Sequence, residues 1–361
     1  MDFGARGNGK FDDSHAFLSA WHTTCRTSGT TTLVIPAGKT FLVTNTVTLT
    51  GPCMSTRINI EIQGEIVAPS FDEWGPADKS KWISIYYVNH LTINGAGGKI
   101  DGLGFTWWER CRNCFRPRTL SFHGCNDLTV SHLHLVNSPG GHIALDGSIG
   151  ASFSHIHIQA PANSPNTDGF DIANSRNILI RNSNIEAGDD CIAINGGTSF
   201  INVTRVACGP GHGISIGSLG RGGAHEIVEE VYVYDCIFTG TSNAARIKTV
   251  SGGSGYARKI TFEKITLIRA GNPIIIDQHY GLNPTADTSV VVSDVTYRGI
   301  HGTSTADLAI KLDCSTSGCF NIVLDQINIV SAIPGRKTYA SCHNAHGTVR
   351  SSIPSVPCLL R

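Results

Sequence analysis

Three phrases in the middle of the sequence each begin with a residue that can carry a proton. They begin at Asp168 (DGFDI), Asp190 (DCIAI) and His212 (HGISI), and both intervals are 22 residues (190 − 168 and 212 − 190). Asp189 adds a further carboxyl group directly before the second phrase. Such a group can divide general acid and general base work, because one carboxyl donates a proton while another activates water.

A purely structural role is the ordinary interpretation of a single aspartate in a turn, since its oxygens satisfy backbone N–H groups there. Asp171, Asn182 and Asn184 fit that interpretation. The three neighbouring carboxyl groups of Asp168, Asp189 and Asp190 are not explained by that role. Like charges at short range raise one another's pKa, which is costly unless chemistry or a cation requires it. A raised pKa would keep one of these carboxyl groups protonated at mildly acidic pH. A metal site is the alternative, but His212 rather than another oxygen ligand follows the carboxyls.

Two cations come later, in the phrase AARIKT. Arg246 and Lys248 share one face of a predicted strand because side chains alternate, and Ile247 points into the core. Arg246 can bind a carboxylate as a bidentate fork, and Lys248 can bind it as a point charge. Tyr280 is expected on the next turn, either at a sugar-binding groove or packed in the core or at its rim. Acid, base and cations together suit cleavage of an acidic polysaccharide.

The elements that position these residues are short runs of alternating apolar residues, interrupted by Gly, Asn, Pro and Ser. From Leu128 onward the runs start 23–32 residues apart. Repetition at that period without intervening helices predicts an all-β, right-handed parallel β-helix. A sandwich or propeller would need more tight hairpin turns. Equivalent residues of successive coils lie roughly 4.8 Å apart, so Asp168, Asp190 and His212 are expected in one column.

The amino-terminal segment differs from the rest, because DDSHAFLSAWHTTC predicts an amphipathic helix over about residues 12–28, opened by an aspartate cap. We expect this helix to cover the open end of the core. The absence of any linker or charge run predicts a single domain over residues 1–361. No signal peptide is recognisable in the chain, and no apolar run is long enough to span a membrane.

Charge and cysteine content limit the partners and the cellular compartment that can be expected for this protein. The 28 basic and 28 acidic residues cancel, which gives no reason to expect nucleic acid or a membrane surface as partner. Twelve cysteines indicate an oxidising compartment, and a lone CxxC at 111–114 is weak support for zinc. Cys236 is expected to be a buried free thiol, and Asn202 is a candidate for glycosylation. The expected disulfides are Cys191–Cys208, Cys314–Cys319, Cys342–Cys358 and, with Cys114 as a competitor, Cys111–Cys125.

Four short motifs resemble, in order and spacing, the signatures of polygalacturonases of glycoside hydrolase family 28. They are NTDG at Asn166–Gly169, GDD at Gly188–Asp190, GHG at Gly211–Gly213 and RIK at Arg246–Lys248. Longer phrases such as SPNTDG, CGPGHGISIGSLG and GGSGYAR are similar to the plant branch of that family.

The resemblance implies a secreted, monomeric enzyme of the cell wall that hydrolyses α-1,4 bonds of homogalacturonan with inversion and without a metal or other cofactor. Proteinaceous inhibitors are possible partners by the same resemblance. The resemblance makes Asp189 the general acid. It implies that Asp168 and Asp190 hold and deprotonate the attacking water, and that His212 supports the protonation of the acid or the hydrogen-bond network. The implied substrate-binding residues are Arg246, Lys248, Tyr280 and Asn166.

Some residues depart from the plant pattern around the carboxylate-binding region. Val250 stands where Trp is frequent, Ala244-Ala245 replaces an Asn-Gly pair, and His279 and Gly281 stand where Asn and Cys are usual. We expect endo action, since no long insertion would close one end of a groove. Exo action is the alternative, as are a pectate lyase and a pectin-binding protein without hydrolase activity.

Overall fold

The computed structural model describes residues 1–75, 79–95, 97–111, 114–281 and 289–359, and it has the repeated strands that the sequence predicts. The fold is the expected right-handed parallel β-helix, in which the strand pairs are parallel and join successive coils. The chain forms two compact units. One contains Met1–Asp171 and Ile178–Asp189, and the other contains Ile172–Asn177 and Asp190–Arg361.

In the first unit the strands alternate between two parallel sheets. Residues one coil apart pair in register, as Leu120 does with Ile83 on one side and Ile143 on the other. One sheet contains Val47–Thr50, Lys81–Tyr86, Arg118–His123 and Ile143–Asp146. The other contains Asn8–Asp12, Gly29–Ile35, Thr40–Leu42, Ser55–Ile62, Glu65–Val67, Leu91–Asn94, Lys99–Asp101, Leu128–Ser131, His134–Val136, Ile149–Ser154 and His157–Gln159.

The second unit repeats this arrangement. One of its sheets contains Ile192–Ile194, Ile214–Leu219, Asn243–Thr249, Asn272–Asp277, Leu308–Asp313 and Tyr339–His343. The other contains Thr198–Cys208, His225–Tyr234, Ile237–Thr239, Ser254–Ala270, Val291–Ser304, Cys319–Asp325, Ile327–Ser331, Ala345–Val349 and Ser352–Ile353. Two more strands, Phe170–Ala173 and Arg176–Glu186, include two of the three points at which the chain passes between the units, and the third lies between Asp189 and Asp190.

Apolar side chains from successive coils fill the interior of each unit. Phe122, Phe153 and Phe170 follow one another in the first unit, with ring centroids 6.2 and 5.2 Å apart. Burying each such ring contributes roughly 1.5–3 kcal/mol. In the second unit Ile192 pairs in register with Ile214. The 22-residue interval read from the sequence is therefore one coil there.

The amino-terminal helix spans Ser14–Arg26 and lies over the end of the first unit, as predicted. Trp21 Nε1 donates to the carbonyl of Thr50 at 3.2 Å, and Ser55 Oγ donates to the carbonyl of Thr24 at 2.6 Å. A disulfide joins Cys25 near the end of the helix to Cys53. The described part of the chain has two other helical segments, Phe105–Trp108 and a 3₁₀ turn at Arg221–Gly223.

The start of this helix differs from the predicted aspartate cap. Asp13 precedes the helix, but its carboxylate accepts the N–H groups of Arg6 and Gly7 at 2.7 and 3.0 Å. The carboxylate of Asp12 instead accepts the N–H of Ser14 at 3.0 Å. The preceding chain folds back over the helix start and takes up the carboxylate that would otherwise cap it.

Five disulfides are present among the described residues, and they are Cys25–Cys53, Cys111–Cys114, Cys191–Cys208, Cys314–Cys319 and Cys342–Cys358. Three of them are expected pairs. The pairing of Cys111 with Cys125 is wrong, because Cys111 reaches Cys114 at a Cα separation of 5.3 Å. Cys125 is buried and free, with Sγ 3.4 Å from the carbonyl of Ile85.

Cys236 is the buried free thiol that the sequence predicts. Burial raises the pKa of Cys236 to about 12, so this thiol is a poor nucleophile at ordinary pH. Asn202 is exposed on its strand, and its glycosylation stays a prediction. None of the helices in the described ranges is long and apolar enough to cross a membrane.

Candidate active site

In the first unit, the turn Asn166–Gly169 is tied to the turn that carries Asp189. Thr167 Oγ1 accepts the N–H of Gly188 at 2.9 Å and lies 2.7 Å from Ser164 Oγ. A Cβ added at Gly188 would lie 1.9 Å from the carbonyl oxygen of Ser164. Only glycine allows this approach, which explains why a glycine precedes the two aspartates.

Asn166 contacts Asp189 directly. Its Nδ2 donates to Asp189 Oδ2 at 3.2 Å, while its Oδ1 accepts from Arg116 Nη2 at 2.8 Å. Arg116 is only 8% exposed and also donates to the carbonyls of Pro139 and Pro165 at 2.9 and 2.8 Å. A guanidinium can only donate, so this contact fixes the orientation of the Asn166 amide. Burial lowers the pKa of Arg116 from its usual high range.

His142 lies buried below the backbone at Asp168. Its Nδ1 is 3.2 Å from the carbonyl of Thr167 and 3.1 Å from that of Asp168. Its Nε2 accepts the N–H of Ser138 at 3.4 Å, so the proton of the neutral ring belongs on Nδ1. Burial lowers the pKa of His142 to about 4. His142 is therefore an uncharged group that donates from Nδ1 to the backbone carbonyls of Thr167 and Asp168.

In the second unit, Asp190 is the centre of a buried polar cluster. It is 1% exposed, and Ser215 Oγ and Arg246 Nη2 donate to its Oδ1 at 2.8 and 2.5 Å. Lys248 Nζ donates to its Oδ2 at 2.8 Å. Arg246 Nε also donates to Ser215 Oγ at 2.8 Å. Asp190 accepts on both oxygens, which is the role of a carboxylate rather than a carboxylic acid.

The strand Asn243–Thr249 presents both cations on one face, as predicted, because Ile247 is fully buried on the other. The cations are less accessible than a lone R-x-K pattern suggests, with side chains only 10% and 9% exposed for Arg246 and Lys248. The ring of Tyr280 lies 5.2 Å from Lys248 Nζ, which is within cation–π range.

His212 occupies the position equivalent to Asp190 one coil later, since each stands two residues before the paired Ile192 and Ile214. Its carbonyl accepts from Asn243 Nδ2 at 3.4 Å. The following Gly213 has φ +86°, and a Cβ there would lie 2.5 Å from the carbonyl oxygen of Asn243. The glycine after the histidine is thus required by the close approach of the next coil.

Three supporting residues escaped prediction from the sequence. Ser215 had a usable signal, because it is the polar residue between two core isoleucines in HGISI and shares a strand face with the site. Arg116 and His142 had none. Their contacts with Pro139, Asn166 and Thr167 join residues 23–50 positions apart along the chain, which become neighbours only when the coils stack.

The departure at His279 adds a second cluster in the same unit. Ligand atoms of Asp277, His279 and Asp313 lie within 4.8 Å of one another, close enough to hold a cation. His279 Nδ1 is 3.4 Å from Asp313 Oδ1, and Lys311 Nζ is 3.2 Å from Asp313 Oδ2. The Lys311 ammonium already supplies one positive charge to this cluster.

The sequence also matches the glycosyl hydrolases family 28 over residues 25–353. The chain belongs to this family. Its relatives include a probable polygalacturonase of Arabidopsis thaliana, 43% identical over 99% of this chain and 79% of the relative. The polygalacturonase of Prunus persica is 38% identical over 99% of this chain and 92% of the relative. As a member of family 28, the protein is a glycoside hydrolase.

Solved structures with the same fold are distant in sequence. An endo-xylogalacturonan hydrolase from Aspergillus tubingensis has a TM-score of 0.84 at 24% identity, covering 96% of this chain and 97% of that one. An exopolygalacturonase from Thermotoga maritima has a TM-score of 0.78 at 19% identity, covering 98% and 90%. At sequence identities below 25%, the structural similarity shows a shared fold and nothing more.

Proposed function

We propose that this protein hydrolyses α-1,4-galacturonosidic bonds in polygalacturonan by an inverting acid–base mechanism. The observation that carries the proposal is the contrast between two consecutive aspartates. Asp190 is buried and accepts hydrogen bonds from two cations, whereas Asp189 is half-buried and accepts from a neutral amide. Two carboxyl groups in such different surroundings are suited to opposite protonation states.

Asp189 is the general acid in this scheme. Its proton passes to the leaving oxygen, and Asn166, which donates to Oδ2 of Asp189, helps to hold the carboxyl group in place. The resemblance to polygalacturonases assigns the attacking water to Asp168 and Asp190, one of which accepts its proton, and assigns His212 to the hydrogen-bond network. Attack by water opposite the leaving group inverts the anomeric carbon. The proposal includes no cofactor or metal.

Arg246, Lys248 and Tyr280 bind the substrate carboxylate next to the scissile bond. Lys248 donates one hydrogen bond to Asp190 and carries two further N–H groups, so it can serve both carboxylates. The adjacent Tyr280 ring supplies a face on which a sugar can pack. The same cations therefore hold the base and attract an anionic sugar.

We propose endo action in the cell wall after secretion. Five disulfides among the described residues suit an oxidising, extracellular setting.

An endo-acting enzyme lowers the viscosity of pectate while few reducing ends appear. Release of monomer alone from the first minutes would show exo action instead. Ultraviolet-absorbing unsaturated ends would identify a lyase.

The test of the acid assignment is an Asp189→Asn variant. It should lose about 10²–10⁴-fold in kcat and retain binding of oligogalacturonides, because a positioned proton donor contributes about that much. Asp235→Asn is the matched control, since Asp235 forms a surface pair with Lys264 at 3.0 Å. Asp189→Asn activity within a few-fold of the control would refute the assignment.

A further inference from the structure

A buried amide side chain joins three segments of the second unit. Gln278 directly follows the strand Asn272–Asp277 and is 0% exposed. Its Nε2 donates to the carbonyl of Val290 at 2.7 Å and to Thr249 Oγ1 at 3.3 Å. Its Oε1 accepts the N–H of Ser315 at 3.0 Å. Both N–H groups of the amide are therefore used, as is its oxygen.

One of these three segments is the strand that carries the two cations. Thr249 is its last residue, directly after Lys248, and is fully buried. Thr249 Oγ1 accepts from Gln278 and lies 2.5 Å from Ser289 Oγ. The carbonyl oxygen of Thr249 accepts the N–H of Tyr280 at 3.2 Å. Gln278 and Tyr280 thus bind the same residue, one to its side chain and the other to its backbone.

The turn after Gln278 places the Tyr280 ring. The N–H of His279 donates to Oδ1 of Asp277 at 3.1 Å, which closes the turn locally. Tyr280 is half-buried, and its ring lies 5.2 Å from Lys248 Nζ. Only one residue separates Gln278 from Tyr280. Any shift of the buried amide therefore moves the aromatic ring relative to the ammonium group.

An amide satisfies these partners better than other side chains of the same length. The carbonyl of Val290 needs a donor, whereas the N–H of Ser315 needs an acceptor. An ionised carboxylate offers acceptors alone, and a methionine side chain offers no N–H or O–H donor. An apolar side chain could fill the same space, but apolar contacts are non-directional and would not fix the spacing between the strand and the turn.

We propose that Gln278 is a positioning residue that holds Tyr280 against Lys248 and thereby sets the affinity for the substrate carboxylate. This inference rests on the function proposed above, in which Lys248 and Tyr280 bind that carboxylate. Gln278 is buried and does not contact the sugar, so it acts through Tyr280. A sugar packed on the Tyr280 ring presents its carboxylate to Lys248 only while the ring and the ammonium group keep their spacing.

The test is a double-mutant cycle of Gln278→Met and Tyr280→Ala, in which kcat and KM are measured on polygalacturonic acid. Methionine is unbranched like glutamine but cannot replace its hydrogen bonds. Gln278→Glu is the second variant, since it keeps the shape and the acceptor for Ser315. Ser304→Ala is the control for a lost buried hydrogen bond, because Ser304 is 0% exposed in the same unit and donates to the carbonyl of Ala306 at 2.6 Å.

We expect Gln278→Met to raise KM about tenfold while kcat stays within about threefold of the wild type, because binding is lost rather than chemistry. In the Tyr280→Ala background the same substitution should change KM less than about twofold, since no ring is left to position. An equal rise in KM in both backgrounds, or a KM as little changed as in Ser304→Ala, would overturn the role of Gln278. A wild-type protein that does not hydrolyse polygalacturonic acid would overturn the proposed function instead.

Discussion

Arg116 Nη2 donates to Asn166 Oδ1 at 2.8 Å, and this contact turns the amino group of Asn166 toward Asp189. Without it, the amide could present its oxygen to Asp189 and compete for the proton of the acid. Arg116 touches neither substrate nor water in the proposed mechanism. It is a positioning residue that acts through Asn166.

We therefore expect Arg116→Gln to lower kcat by up to about 10²-fold with a smaller change in KM, because a misplaced catalytic group impairs the chemical step. The pH–rate profile should change on the limb that reports the acid. Arg258→Gln is the control, since Arg258 forms a surface pair with Glu229. An unchanged pH profile, with kcat falling only as the folded fraction falls, would make Arg116 merely structural.

Lys248→Met should reduce stability as well as substrate binding. Asp190 is buried, and loss of Lys248 leaves Oδ2 without this donor. Breaking one side of a buried ion pair typically costs about 3–5 kcal/mol. Lys259→Met removes an exposed pair with Glu230 and should leave stability nearly unchanged, because water and salt screen such pairs. Equal midpoints of urea unfolding for the two variants would contradict this account of Asp190.

Stability should fall with acid through His142. Its folded-state pKa, about 4, lies below the ordinary 6.5, so the unfolded chain binds a proton first as pH decreases. The contribution is complete above pH 6.5 and is lost between pH 6.5 and 4, and it amounts to about 3 kcal/mol.

His142→Gln is the matched variant, because Gln stays neutral and can still donate to the carbonyls above it. The free energy of unfolding should change less between pH 7 and pH 4.5 in this variant than in the wild type. The same change in both proteins would show that His142 is not the titrating group.

The sequence predicted those features that repeat along the chain. Equal 22-residue intervals fixed the coil length at Asp190 and His212, and the pairing of Ile192 with Ile214 confirms it. Alternation predicted the common face of Arg246 and Lys248. Short loops predicted the disulfides Cys314–Cys319 and Cys342–Cys358, and the coil repeat predicted Cys191–Cys208.

Contacts without a local signal were not predictable. Arg116 meets Asn166 across 50 residues, and Cys25 meets Cys53 across 28, because folding of the coils and the helix decides both encounters. The buried ion pairs of Asp190 were missed for the same reason. The sequence identifies Arg246 and Lys248 as cations but does not show whether their side chains are buried or exposed.

The Cys25–Cys53 disulfide should stabilise the fold more than the short-loop disulfide Cys314–Cys319. Chain entropy predicts about 3.6 kcal/mol for a separation of 28 residues and about 2.1 kcal/mol for one of 5. Double replacement by serine, followed by denaturant unfolding, compares the two. A larger loss for Cys314–Cys319 would contradict the view that Cys25–Cys53 anchors the amino-terminal helix.

The most direct test of the central claim is the time course of reducing ends and of ultraviolet-absorbing unsaturated ends released from polygalacturonic acid by the wild-type protein. Hydrolysis predicts a steady increase in reducing ends at mildly acidic pH, undiminished by a chelator, with no increase in ultraviolet absorbance. The Asp189→Asn variant should release almost none. Absorbance that rises in step with the reducing ends, or no release from this polymer at all, would contradict the account.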